Sequence, residues 1–126
     1  MILVVDDEKS ICELMAEILA ENYNVIKAFD GVEALSLARA QKPDLIVSDI
    51  MMPQMSGTDL LQALRADPQL SSIPVILVSA VVPQQTAEKA NAFIRKPFDV
   101  EKLEQVVRQV CAQYRFSNKG YSKSRG

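Results

Sequence analysis

Residues 2–8 read Ile2-Leu3-Val4-Val5-Asp6-Asp7-Glu8, four apolar residues followed at once by three acids. A continuous apolar run, as opposed to an alternating one, marks a strand buried on both faces. Similar runs occupy 24–28, 45–48 and 75–79, and a shorter one at 92–95 holds Phe93 and Ile94. Helical patterns separate them. Ile11, Leu14, Met15, Ile18 and Leu19 repeat at one face of a helix, with Ser10 placed to cap it. Val32–Ala40 and Thr58–Ala66 read as two more helices. Val100, Leu103, Val106, Val107, Val110 and Cys111 form the stripe of a last one, with Asp99 as its N-cap.

Buried strands alternating with amphipathic helices imply parallel strands and helices on both faces of the sheet. The expected fold is a doubly wound α/β domain with a five-stranded, flavodoxin-like sheet of order 2-1-3-4-5. A chain of 126 residues holds one such domain. The organisation expected is a folded unit over 1–113 and a basic, disordered tail over 114–126. Ten basic and sixteen acidic residues in the first part stand against four basic and no acidic residues in the second.

Composition narrows the chemistry. The chain has no histidine, which removes Ser-His, Cys-His and His-zinc arrangements. Cys12 and Cys111 lie 99 positions apart on apolar helical stripes and read as buried free thiols. With a net charge of −2, the chain does not read as a nucleic-acid binder. No apolar run approaches the length of a membrane span, and no secretory signal is present, so the expected location is the cytoplasm.

In an open parallel sheet the ligand sits beyond the carboxyl ends of the strands, where strand order reverses. Strand one ends in Asp6-Asp7-Glu8, strand three in Asp49, strand four in Ser79, and strand five runs into Lys96-Pro97. With strands one and three adjacent, Asp6, Asp7 and Asp49 converge, flanked by Ser79 and Lys96. Three neighbouring carboxylates need neutralising. Hard oxygen donors without histidine or thiol point to Mg²⁺, with Mn²⁺ as the other candidate. Each motif alone has a plainer reading, since acids also favour helix N-termini and a lone Asp often marks a turn. Their joint placement at four strand ends carries the inference.

Residues 3–8, 49–57, 78–80 and 93–98 together resemble the receiver domain (CheY-like) of bacterial two-component response regulators. The resemblance spans 1–113. It implies that Asp49 is the phosphoacceptor, taking a phosphoryl group from a histidine kinase, a phosphotransfer protein or a small acyl phosphate. It implies metal binding by Asp6, Asp7, Asp49 and the Met51 backbone carbonyl, and contacts from Lys96 and Ser79 to the phosphoryl group. It further implies a cis bond before Pro97 and a switch in which Ser79 moves and Phe93 turns to alter protein contacts. Phe93 stands where many members carry tyrosine, so packing alone would set its rotamer.

Ser79 and Lys96 are only 17 positions apart, fewer than expected for the family. The crossover at 81–91 is therefore expected to hold a short or irregular fourth helix that orders on phosphorylation or binding. The expected activity is phosphoacceptance with slow self-dephosphorylation, not general turnover. A phosphatase using Asp49 would need an acid/base carboxylate two residues on, and Met51 stands there. The intact set of Asp6, Asp7, Asp49, Ser79 and Lys96 argues against a constitutive scaffold. The effector is unspecified, no DNA-binding module is expected, and a homodimer is left open. The alternative setting is a receiver fragment of a larger response regulator or hybrid histidine kinase.

Overall fold

The computed structural model describes residues 1–81 and 90–114. Five strands, β1 (Ile2–Val5), β2 (Val25–Ala28), β3 (Leu45–Asp49), β4 (Val75–Ser79) and β5 (Ala92–Arg95), form one sheet of order β2-β1-β3-β4-β5. All four pairings are parallel. The helices among the described residues are α1 (Lys9–Ala20), α2 (Gly31–Gln41), α3 (Gly57–Ala66) and α4 (Val100–Tyr114). The expected short helix in the crossover and the expected disordered tail fall largely outside the described residues.

Strand alternation divides the core in two. Ile2, Val4, Leu45, Val47, Ile76, Val78 and Ile94 face α1 and α4, whereas Leu3, Val5, Ile46, Val75 and Leu77 face α2 and α3. Both faces are covered, which is why β1 is buried at every position without polar alternation.

The helix starts show where local chemistry acts. Asp30 accepts from the Glu33 N–H at 2.7 Å and caps α2. Ser56 and Asp59 form a reciprocal capping box at α3, both bonds at 3.1 Å. Asp99 accepts from the Lys102 N–H at 2.7 Å, as its position before α4 predicts. Ser10 does not cap α1. The N-cap is Glu8, without a side-chain bond, and Ser10 lies inside the first turn. Its place is taken by Asp6, whose Oδ1 accepts from the Glu8 N–H at 2.9 Å and turns the chain out of β1.

The buried face of α1 departs from the expected stripe at Leu14, while Cys12 is buried as expected. Cys12, Met15, Ala16 and Leu19 are buried, while Leu14 is 46% exposed. The small side chain of Cys12 lies against the sheet. The Cys12 thiol donates towards the Val4 and Ala28 carbonyls, at 3.7 and 3.6 Å.

Glycine is required at the start of α3. A Cβ on Gly57 would stand 2.2 Å from the Asp49 carbonyl oxygen and 2.9 Å from the Ile50 Cα. The Gly57 N–H meanwhile donates to the Ile50 carbonyl at 2.8 Å, folding the loop after β3 back onto the strand end. A Cβ on Gly31 would lie 2.7 Å from the Met55 carbonyl, so α2 presses on the same loop.

Two outcomes follow from these contacts. In an exposed helix Gly→Ala gains up to about 1 kcal/mol. Gly57→Ala should instead lose about 2 kcal/mol or more, because the obstacle is backbone, and a lowered urea midpoint would show it. Burial, reinforced by the charge of Asp6, raises the Cys12 thiol from 9.0 to about 11. Below pH 9 the thiol is protonated in folded and unfolded chains alike; between 9 and about 11 only the unfolded chain gives up its proton. Stability should therefore fall as pH rises through that window. Urea melts across it should show a shallower decline for Cys12→Ala, even though that variant starts less stable.

Candidate functional site

The order of strands builds the site. Because β1 lies between β2 and β3, the chain reverses direction across the sheet at the β1/β3 boundary, and the crevice opens there. Val5 is in register with Ser48, so Asp6 and Asp49 follow at one level. Carboxylate oxygens of Asp6, Asp7 and Asp49 all lie within 4.8 Å of one another. Asp6 is fully buried and Asp49 is 5% exposed, whereas Asp7 is open to solvent.

Lys96 reaches this cluster from beyond β5. Its Nζ stands 3.3 Å from Asp6 Oδ2 and 3.3 Å from Asp49 Oδ1. Its own N–H donates to the Ser79 carbonyl at 2.9 Å, which joins the ends of β4 and β5. The Lys96–Pro97 bond is cis, as the resemblance implies.

Burial raises the Asp49 carboxyl above its ordinary value and the Asp6 charge adds to this, while Lys96 pulls it back. For Lys96, burial pushes downward, but the Asp49 and Asp6 carboxylates outweigh it and the ammonium titrates above its ordinary value. One ammonium thus serves two buried carboxylates, and a third carboxylate lies at their mouth. The donor set is three hard oxygen ligands with one side open, which fits a small divalent cation.

The remaining predicted residues fall around this centre. Ser79 is 2% exposed at the end of β4, and its Oγ accepts from the Val81 N–H at 3.4 Å. Asp49 pairs in register with Val78, so Ser79 stands one step further out. Met51 lies in the loop after Asp49, with its side chain 72% exposed. Phe93 pairs with Leu77 and packs, half-buried, on the α2/α3 side of the sheet. It lies on β5, two strands from Asp49 on β3.

Some contributors escape a reading of motifs. Gly31 follows Asp30 at a helix start, an ordinary turn signal that says nothing of its contact with the Met55 loop. Lys9 places its ammonium 5.4 Å from the Phe29 ring centre, bridging the start of α1 and the loop after β2, and no pattern announces it. An open cavity lined by Pro43, Asp44, Ser72, Ile73, Pro74 and Tyr114 lies at the opposite ends of the strands. The carboxylate centre is therefore elsewhere. Among the described residues no helix is long and apolar enough to cross a membrane.

Comparison with known proteins agrees with this geometry. The sequence profile of the response regulator receiver domain matches residues 2–108. The hybrid signal transduction histidine kinase D of Dictyostelium discoideum is 40% identical, over 82% of this chain and 7% of that protein. Response regulator Rre1 of Synechocystis is 35% identical, over 98% of this chain and 56% of that one. The chain therefore spans little more than half of one of these relatives and a small part of the other. The polar-differentiation response regulator DivK of Brucella anthropi is 33% identical, over 85% of this chain and 92% of that protein. Among solved structures, Vibrio cholerae chemotaxis protein CheY4 superposes with a TM-score of 0.81 at 31% identity, covering 86% of this chain and 96% of that one. With the switch-point carboxylates, the lysine after β5 and the profile match all on one sheet, the chain belongs to the response regulator receiver domain family of two-component systems.

Proposed function

We propose that the chain is a phosphoacceptor in which Asp49 takes a phosphoryl group from a histidine kinase, a phosphotransfer protein or a small acyl phosphate. The observation that carries this reading is Lys96 standing 3.3 Å from both Asp6 and Asp49 within the carboxylate trio. An Asp49 oxygen attacks phosphorus, and the P–N or P–O bond of the donor breaks with its electron pair leaving on the donor. No proton need be taken from the nucleophile, so positioning and charge neutralisation do the work. As charge moves onto the phosphoryl oxygens, Lys96 shifts its pairing from the Asp49 carboxylate to one of them. The Ser79 hydroxyl donates to another.

Asp6, Asp7, Asp49 and the Met51 carbonyl would hold Mg²⁺ or Mn²⁺. When bound, such an ion supplies positive charge against the carboxylates and the phosphoryl oxygens. Burial and Asp6 favour the protonated form of Asp49. Lys96, and a cation in the trio, keep it ionised and nucleophilic. Turnover of free substrates is not part of this reading. Position 51 is methionine, which lacks the acid or base that a phosphatase would place there, and only slow self-dephosphorylation remains.

The output in this proposal is a change of protein contacts. Ser79, drawn to the phosphoryl group, vacates space that Phe93 on the adjacent strand enters. With no hydroxyl, the Phe93 ring is held in either orientation by packing alone. Half-burial at the edge strand leaves it room to turn. Kinases among the relatives, which this chain matches over only 7% and 8% of their length, favour a second setting for the same chemistry, inside a hybrid histidine kinase.

Acetyl phosphate with Mg²⁺, read by intact mass, tests the reaction. The wild type should gain one phosphoryl group and Asp49→Asn none; labelling of Asp49→Asn at the wild-type rate would overturn the assignment. Phe93→Ala should be labelled near the wild-type rate but lose the phosphorylation-dependent change in amide exchange along β5. Equal loss of labelling and response would remove Phe93 from the switch.

A further inference from the structure

The edge strand that delivers Lys96 carries a weak register signal. Every residue of β4 is buried, whereas β5 has only Ile94 fully buried, with Ala92 and Phe93 intermediate and Arg95 exposed. A slip of two residues keeps the faces of a strand, so the alternation of faces does not resist it. Such a slip would carry Lys96 roughly 6–7 Å along the strand. Its Nζ now stands 3.3 Å from each of its two carboxylates. One buried side chain is a thin safeguard for a charge that must be so placed.

A second safeguard lies at the far end of the same two strands. Asn91, just before β5, donates its N–H to the Val75 carbonyl at 2.8 Å, and its Oδ1 accepts from the Val75 N–H at 2.8 Å. The same Oδ1 accepts from Arg65 Nη2 at 2.9 Å. Arg65 is itself fixed by Nη1 bonds to the Ile73 and Ser71 carbonyls, at 2.8 and 3.2 Å. The Asn91 amide also donates to the Tyr114 hydroxyl at the end of α4. One side chain therefore ties β5 to β4, α3 and α4 at a single register position, and Arg65 orients it.

We propose that Asn91, oriented by Arg65, is a positioning residue that locks the β4/β5 register and thereby places Lys96 between Asp6 and Asp49. The link is a rigid one: the Asn91–Val75 bonds and the Lys96–Ser79 bond close the two ends of a four-residue strand. The three carboxylates stand at the ends of β1 and β3 and do not depend on it. The inference rests on the phosphoacceptor reading for its effect on rate, and on the fold alone for its effect on register.

The two are separated by measuring three quantities on the whole chain. In Asn91→Ala the Lys96 amide should exchange faster. Labelling of Asp49 by acetyl phosphate should slow on the order of tenfold, as expected when a register held by a few hydrogen bonds loses them. Mg²⁺ affinity by calorimetry should be undiminished, because the trio loses only a competing ammonium. Asn91→Asp, which keeps the acceptor oxygen for Val75 and Arg65, should restore both exchange and labelling. Arg65→Met should show the same split at smaller amplitude, and supports the test should Asn91→Ala fold poorly. Leu35→Ala, a core truncation on α2, should lower stability without the split. Wild-type protection of the Lys96 amide in Asn91→Ala, or an equal slowing in Leu35→Ala, overturns the proposal. Should the wild type itself take no phosphoryl group, the phosphoacceptor reading falls and the Lys96 amide alone decides the register claim.

Discussion

The structure depends on a deficit of positive charge. Asp6 and Asp49 are withdrawn from water side by side, and a single ammonium, from Lys96, stands against both. Buried ions with incomplete compensation are costly, and removing the one partner would leave two carboxylates facing each other. Asp6 and Lys96 are ninety positions apart in the chain. The compensation therefore exists only when β1, β3 and β5 all sit in one sheet, and the charge centre is a property of the finished fold.

The elements around that centre share their parts with it. Asp6 both faces Lys96 and turns the chain into α1 through the Glu8 N–H. The loop carrying Met51 is pinned by Gly57 at one side and pressed by Gly31 at the other. Gln54 in that loop takes a left-handed conformation, φ 69°, inside a tight turn that the Met55 N–H closes onto the Pro53 carbonyl at 2.7 Å. The site is stiff because helices α2 and α3 abut the backbone that follows Asp49, leaving little volume for adjustment.

How much of this can be read from residues follows from what each signal depends on. The strands, their order and the convergence of Asp6, Asp7, Asp49, Ser79 and Lys96 are legible, because strand ends in an alternating α/β chain fall on one edge. The Asp99 cap is legible for the same local reason. Ser10 misleads because a carboxylate upstream, serving the site, already makes the turn. Leu14 misleads because periodicity places it beside the stripe, while the face that packing buries runs through Cys12, Met15, Ala16 and Leu19. The Asn91 network has no local signature at all: its partners come from α3, β4 and α4, and only the assembled sheet brings them together.

The two cysteines bear on how the molecule can be handled. Cys12 sits at 0% exposure between two carbonyls and Cys111 at 6% on the buried face of α4, both with thiols pushed above the ordinary range by burial. Thiolate, not thiol, is the species that alkylating reagents capture. At neutral pH the native pair is therefore chemically silent, and a single cysteine placed on an exposed helix position becomes the one address for a spectroscopic label. Motions at the carboxylate edge of the sheet can then be followed in the unaltered core, without first stripping the protein of its own sulfur.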